Sequence, residues 1–162
     1  MTSRGGCGAS GVPAEHARFH GYIRALSQVG DGVVDADECD LIRTVLQDPD
    51  RAVAESAVMQ HIDGMAERVE SAEQYAGWRS SIAPVVEDRE LLRRRLAEWA
   101  LFKAIAGDSA WSTAELADAS DWLQRKVAEH AHSRRALAAL AEGGRTNRVR
   151  ATARSRLNRL PG

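Results

Sequence analysis

The feature that most constrains this chain is its apolar periodicity. From Phe19 to Leu160 the large apolar residues recur at three- and four-residue steps, and nowhere do they alternate long enough to make a strand. A chain with that period buries its stripes by packing helix on helix, so the fold class is all-α. Capping chemistry marks where the helices start and stop. Pro13 opens a first helix carrying Phe19, Ile23 and Leu26, and Gly30 ends it. Asp35 with Glu38 reads as a capping box ahead of Leu41, Ile42, Val45 and Leu46. Asp48-Pro49 opens a third helix with the stripe Val53, Ala57, His61, Met65 and Val69, and Ser71 precedes a short fourth that ends before Pro84. Asp88 starts a fifth, whose Leu91, Leu92, Leu96, Trp99, Phe102 and Ile105 cover more than one face, as a central helix requires. Ser112 with Glu115 caps a sixth helix running through Ala119, Trp122 and Val127 to about His130. Two more close the chain, one through Leu137 and Leu140 to Gly143-Gly144, the other through Val149, Ala153 and Leu157. The short connections predict antiparallel neighbours, about seven or eight helices in all.

At 162 residues the chain can bury roughly 70% of its unfolded surface without a metal or disulfide staple. Residues 1–11, with four glycines and no periodicity, read as a flexible leader, and residues 12–160 as a single all-α domain. No apolar run approaches the roughly 20 residues of a bilayer span, and no charged-then-apolar leader opens the chain, so no membrane association is expected. Cys7 and Cys39 are too few for a disulfide scaffold and too far apart for a zinc motif, which points to a reducing cytoplasm.

Two segments are alike. Residues 41–62 (LIRTVLQDPDRAVAESAVMQHI) and 137–157 (LAALAEGGRTNRVRATARSRL) each give a leucine-rich helix, a polar turn and a helix beginning Val-x-x-x-Ala. This resembles the HEAT-repeat pattern, in which an Asp-Pro-Asp-like turn precedes V-R-x-x-A-x-x-x-L. Val149, Arg150, Ala153 and Leu157 fill that helix. The first copy keeps Asp48, Pro49, Asp50, Val53 and Ala57 but has Ala54 and His61 in the other slots. The resemblance covers 43 residues, and the region between lacks the motif, so a HEAT-like solenoid and an irregular helical bundle both remain open. It implies paired antiparallel helices with Val53 and Val149, and Ala57 and Ala153, in equivalent buried slots.

The formal charge of −1 hides an asymmetry. Residues 134–162 hold eight arginines against the single acid Glu142, a net of +7, leaving −8 on the other 133 residues. On the last helix Arg148, Arg150 and Arg154 flank the apolar stripe, and Arg145 stands in the turn before it. With Trp122 and Arg125 these residues form the expected binding surface. Its first reading is a non-enzymatic helical protein that binds a protein partner through its C-terminal helices. Its second is a nucleic-acid accessory protein gripping phosphates with the same arginines.

Chemistry-bearing motifs are sparse. No P-loop, nucleophile elbow or dinucleotide fingerprint is present, and no cofactor is implied. His16 and His20 lie four apart on one helix face, the spacing of a metal-binding pair, and a metal-dependent enzyme built on them with His130 or a distant carboxylate is the third reading. The His-Glu dipeptides of deoxyhypusine hydroxylase are similar to Glu15-His16 and Glu129-His130, but here the order is reversed and the pairs are half as many. Residues 27–38 resemble the second half of an EF-hand loop, with Asp31, Gly32, Val34, Asp35 and Glu38 in register. Ser27 and Val29 replace the two early acids, which leaves helix capping as the simpler account.

Overall fold

The structure, a computed structural model, describes residues 13–29 and 36–161. The leader with Cys7, and the loop positions Asp31, Gly32, Val34 and Asp35, lie outside the described residues. Within them the chain is all-helical: α1 (Ala14–Gln28), α2 (Ala36–Val45), α3 (Arg51–Arg68), α4 (Ala72–Ile82), a 3₁₀ turn (Ala83–Val86), α5 (Glu90–Ala106), α6 (Thr113–Asp118), α7 (Asp121–His130), α8 (Arg134–Gly143) and α9 (Asn147–Leu157). No described helix is long and apolar enough to cross a membrane.

Six helices start on a side-chain cap. Asp50, Ser71, Ser112, Ser120, Ser133 and Thr146 each accept from a backbone N–H in the first turn, and Ser112 and Glu115 complete the expected capping box. At α3 the cap is Asp50, not Asp48. Asp48 faces α1 instead, accepting from the Tyr22 hydroxyl at 2.6 Å, Arg18 Nε at 3.1 Å and the Asp50 N–H at 2.8 Å. The Tyr22 hydrogen bond, with the Asp50 amide behind it, holds this carboxyl below the usual range.

The sixth predicted helix is two. The chain leaves helical geometry at Ala119, and Ser120 caps a new helix by accepting from Leu123 N. Three side chains make the break possible by satisfying the backbone it frees. Gln124, fully buried, donates to Leu116 O and Ala117 O, Arg145 donates to Ala119 O, and Glu98 Oε1 accepts from Ser120 N. Gln124 Oε1 in turn accepts the Arg145 N–H at 2.8 Å, so one amide ties α6, α7 and the α8–α9 turn together.

The core has two lobes. The first gathers α1 to α4 on the front of α5, around Ile42, Val58, Ile62, Tyr75, Trp78, Leu92, Leu96 and Trp99. The second packs α6 to α9 on Ile105 at the end of α5, around Leu116, Leu123, Val127, Leu137, Leu140 and Val149. Half-buried Phe102 and Trp122 touch both. Helix α5 is therefore central, as its broad apolar surface predicts. Ala57 and Ala153 are both fully buried, and Val149 is buried while Val53 is half-buried. Among the described helices α8 packs most extensively on α9, whereas α3 lies chiefly against α1 and α5.

Two glycines side by side give opposite expectations. A Cβ on Gly144 would stand 2.6 Å from Leu140 O and 2.7 Å from Val149 Cγ1, while one on Gly143 meets nothing within 4 Å. In urea denaturation Gly144→Ala should cost about 1–3 kcal/mol. Gly143→Ala, at the last position of α8, should be neutral or stabilising by up to about 1 kcal/mol. The Tyr22–Asp48 bond gives a pH signature. Asp48 is depressed in the fold, so its stabilisation is complete above the ordinary carboxylate pKa of about 4 and is lost as pH falls through the folded value. The loss of melting temperature in Tyr22→Phe should be largest near neutral pH and shrink on acidification below about pH 4.

Candidate functional site

The arginines singled out by the sequence divide by what they touch. Arg145 and Arg150 serve the backbone. The first donates to Ala119 O at the end of α6, the second to Gly144 O at the end of α8 and to Asn147 Oδ1. Two neighbours do the same: Arg156 donates to Ala128 O and Ala131 O at the end of α7, and Arg134 to Leu160 O and Pro161 O beyond α9. The last carbonyls of a helix have no intrahelical partner, and a cation there also complements the helix dipole. Half of the basic tail is thus built into the fold.

The others face solvent. Arg125 makes only an exposed i,i+4 pair with Asp121 at 3.0 Å. Arg148 has three-quarters of its side chain exposed and reaches no closer than 3.9 Å to Glu129, and Arg154 is exposed with no ion pair among the described residues. Arg154 lies about 120° around α9 from Arg148 and points away from it. Arg148 approaches Glu129, which stands one turn beyond Arg125 on α7, so Arg125 and Arg148 share a face. Two depressions adjoin there. One of about 250 Å³ is lined by Trp122, Arg125, Lys126, Glu129 and His130, and one of about 450 Å³ by Glu129, Ala151, Thr152, Ser155, Arg156 and Arg159. They have Glu129 in common, and four basic side chains, Arg125, Lys126, Arg156 and Arg159, line them. Trp122 is only half available there. The Arg95 guanidinium lies 3.5 Å from its ring centroid, and the edge of Trp99 packs against it at 5.6 Å.

His16 and His20 stand exposed on α1, with His20 edge-on to Phe19 at 5.7 Å. No group of three or more His, Cys, Asp or Glu side chains among the described residues could hold a metal ion. Cys39 packs half-buried against the first lobe, and burial pushes its thiol pKa up, which makes it a poor nucleophile.

Glu38 is where the sequence misleads most. As position twelve of a calcium loop its carboxylate would turn toward the loop; instead it is fully buried in the first lobe. Its Oε1 is 2.7 Å from His61 Nε2 and accepts the Trp78 indole N–H at 3.0 Å, and its Oε2 is buried with no partner. Trp78 is buried as well and packs edge-on against His61 at 6.4 Å. The signal for this cluster was His61 standing on an apolar stripe. The partners lie 23 and 17 residues away, which no local pattern connects.

The division among the arginines is measurable by denaturation. Arg156→Ala should cost about 1–2 kcal/mol, because it strips two carbonyls at the end of α7 of a charged donor. Arg148→Ala and Arg154→Ala should fall within about 0.5 kcal/mol of the parent. Comparison with family models, with curated proteins and with solved structures finds no match.

Proposed function

We propose that this protein is a non-enzymatic helical binding module that holds an acidic segment of a protein partner along the groove between α7 and α9. The reading rests on one observation: four basic side chains, Arg125, Lys126, Arg156 and Arg159, line two depressions that share Glu129, with exposed Arg148 3.9 Å from that acid. Charge decides the kind of partner. Arg125, Lys126, Arg156 and Arg159 line the groove against one lining acid, Glu129, a balance that favours a segment rich in Asp and Glu. We further read α2–α3 and α8–α9 as degenerate HEAT-like hairpins, on the strength of the matched motif residues and the burial of both Ala57 and Ala153. The scarcity of cysteine favours a cytoplasmic setting.

The test compares the full chain with the triple variant Arg125→Glu/Arg148→Glu/Arg159→Glu, three positions that contribute no helix-end bond. In crosslinked pull-downs from the native host, a partner held by the parent should be lost by the variant while the melting temperature stays put. The same pair in a mobility-shift titration addresses nucleic acid. A shift by the parent that weakens steeply between about 50 and 200 mM salt and vanishes in the variant would reassign the face to phosphate binding. Equal capture by parent and variant, with no shift at low salt, would remove this face from any binding role.

A further inference from the structure

A second site lies in the first lobe, away from the basic face. Between α1 and α3 the structure holds a cavity of about 350 Å³, lined by Ile23, Leu26 and Ser27 from one helix and Gln60, His61, Gly64, Glu67 and Arg68 from the other. Its size falls within the ~300–1,000 Å³ range of small-molecule sites. The inner wall is Leu26 and His61, both buried, with Ile23 and Gly64 half-buried beside them; Ser27, Gln60, Glu67 and Arg68 are exposed and form the rim.

Two departures from good helix and core design meet at this cavity. The first is Gly64, in the interior of the 18-residue helix α3. A glycine there costs about 1 kcal/mol relative to alanine. Nothing in the backbone requires it, since a Cβ would meet no atom within 4 Å. Gly21 and Gly77 also sit in helices, but on exposed faces. Gly64 occupies the helix stripe facing α1, between His61 and Arg68 at i, i+3 and i+7, and the missing side chain is the cavity. The second departure is the buried Glu38–His61 pair in an otherwise apolar lobe, with one carboxylate oxygen unpartnered. Burying such a pair is neutral or unfavourable compared with packing apolar residues in its place. Local rules broken together, without a structural gain, mark a functional site.

The lining narrows the ligand. Glu38 engages His61 at Nε2, so in the neutral ring Nε2 carries the proton and Nδ1 is the remaining acceptor. At the rim Glu67 is paired with Lys126 at 3.3 Å, whereas Arg68 touches only Met65 Sδ and has no carboxylate partner among the described residues. The cavity therefore offers an unneutralised guanidinium at its mouth, an apolar wall, and a hydrogen-bond acceptor at its inner end. His61 and Arg68 are seven residues apart, about 10 Å along the helix axis. We propose that this cavity binds a small, largely apolar acid that carries a hydroxyl at the end opposite its carboxylate, the carboxylate on Arg68 and the hydroxyl on His61.

The probe is 4-hydroxybenzoate, added to the full chain and followed by calorimetry and by the indole N–H resonance of Trp78, which shares the Glu38 oxygen with His61. The expected Kd is on the order of 0.1–1 mM, the range open to a ligand of about ten heavy atoms. Benzoate, which lacks the hydroxyl, and phenol, which lacks the carboxylate, should each bind about tenfold more weakly. Arg68→Gln should weaken the hydroxy acid about tenfold and leave phenol unchanged. Gly64→Phe fills the cavity from a position with open space around Cβ, and it should abolish binding while circular dichroism and a melting curve show the helices intact. No binding at about 10 mM, or binding that Gly64→Phe leaves unaltered, would overturn the proposal. Equal affinity for benzoate and 4-hydroxybenzoate would overturn the part assigned to His61.

Discussion

The fold depends on satisfying helix ends. Every α-helix leaves four N–H and four C=O groups without an internal partner, and here the helices run from only six to 18 residues, so these groups are a large share of the backbone. The chain answers the two ends differently. Six N-termini are closed locally, by Ser, Thr or Asp immediately before the helix. Several C-termini are closed from a distance. Arg89 reaches Leu46 O across 43 residues, Lys103 reaches Val69 O across 34, and Arg134, Arg145 and Arg156 span 25 to 28. Each such bond is also a tertiary contact, because it fixes the end of one helix to the body of another. Arg89 carries this furthest. Lying between α2 and α5, it donates to Leu46 O and pairs with Glu55 on α3 at 3.6 Å.

This changes the meaning of the charge asymmetry. A tail of +7 against a body of −8 reads as a patch waiting for a partner. In the folded chain several of its arginines are spent on carbonyl dipoles, where lysine could not offer the same forked donor geometry. What remains for outside contact is a smaller set: α7 and α9 pack directly, which brings Arg148 within 3.9 Å of Glu129, one turn along α7 from Arg125.

The sequence carried the fold class and most helix starts because caps and apolar periods are local. Ser71, Ser112 and Glu115 announce themselves within four residues. The break between α6 and α7 was hidden by the opposite circumstance. Ser120 is a good cap, yet the apolar period runs through it, and the groups that make the break tolerable come from Glu98, Gln124 and Arg145. Glu38 shows the same limit at a site. Asp-x-x-Glu is a helix start or a calcium loop in the sequence, and only the approach of His61 and Trp78 from two other helices turns its carboxylate into a buried acceptor. Residues 145 to 154 were placed correctly on their helix and turn by spacing alone, but what each guanidinium touches is decided by which helix end lies nearby.

The two candidate sites sit in different lobes, and one side chain reaches both. Lys126 lines the α7 depression, lies 4.4 Å over the Trp99 ring at the junction of the lobes, and pairs with Glu67 on the cavity rim. The strength of that link decides whether the sites communicate. Glu67 is mostly exposed, and a surface ion pair of this kind is worth about 0–1 kcal/mol. Coupling between sites requires an element with two arrangements that both ligands bias, at typically 1–3 kcal/mol. The edge-to-face junction shows one arrangement. Trp99 is anchored to Asp63 by a 2.7 Å hydrogen bond, and Trp122 is held between Arg95 and the edge of Trp99. A weak surface pair across a rigid junction carries little energy from one lobe to the other. The cavity and the basic groove are therefore independent features of one scaffold, the first maintained by a missing side chain in α3 and the second by the basic side chains that line it with Glu129.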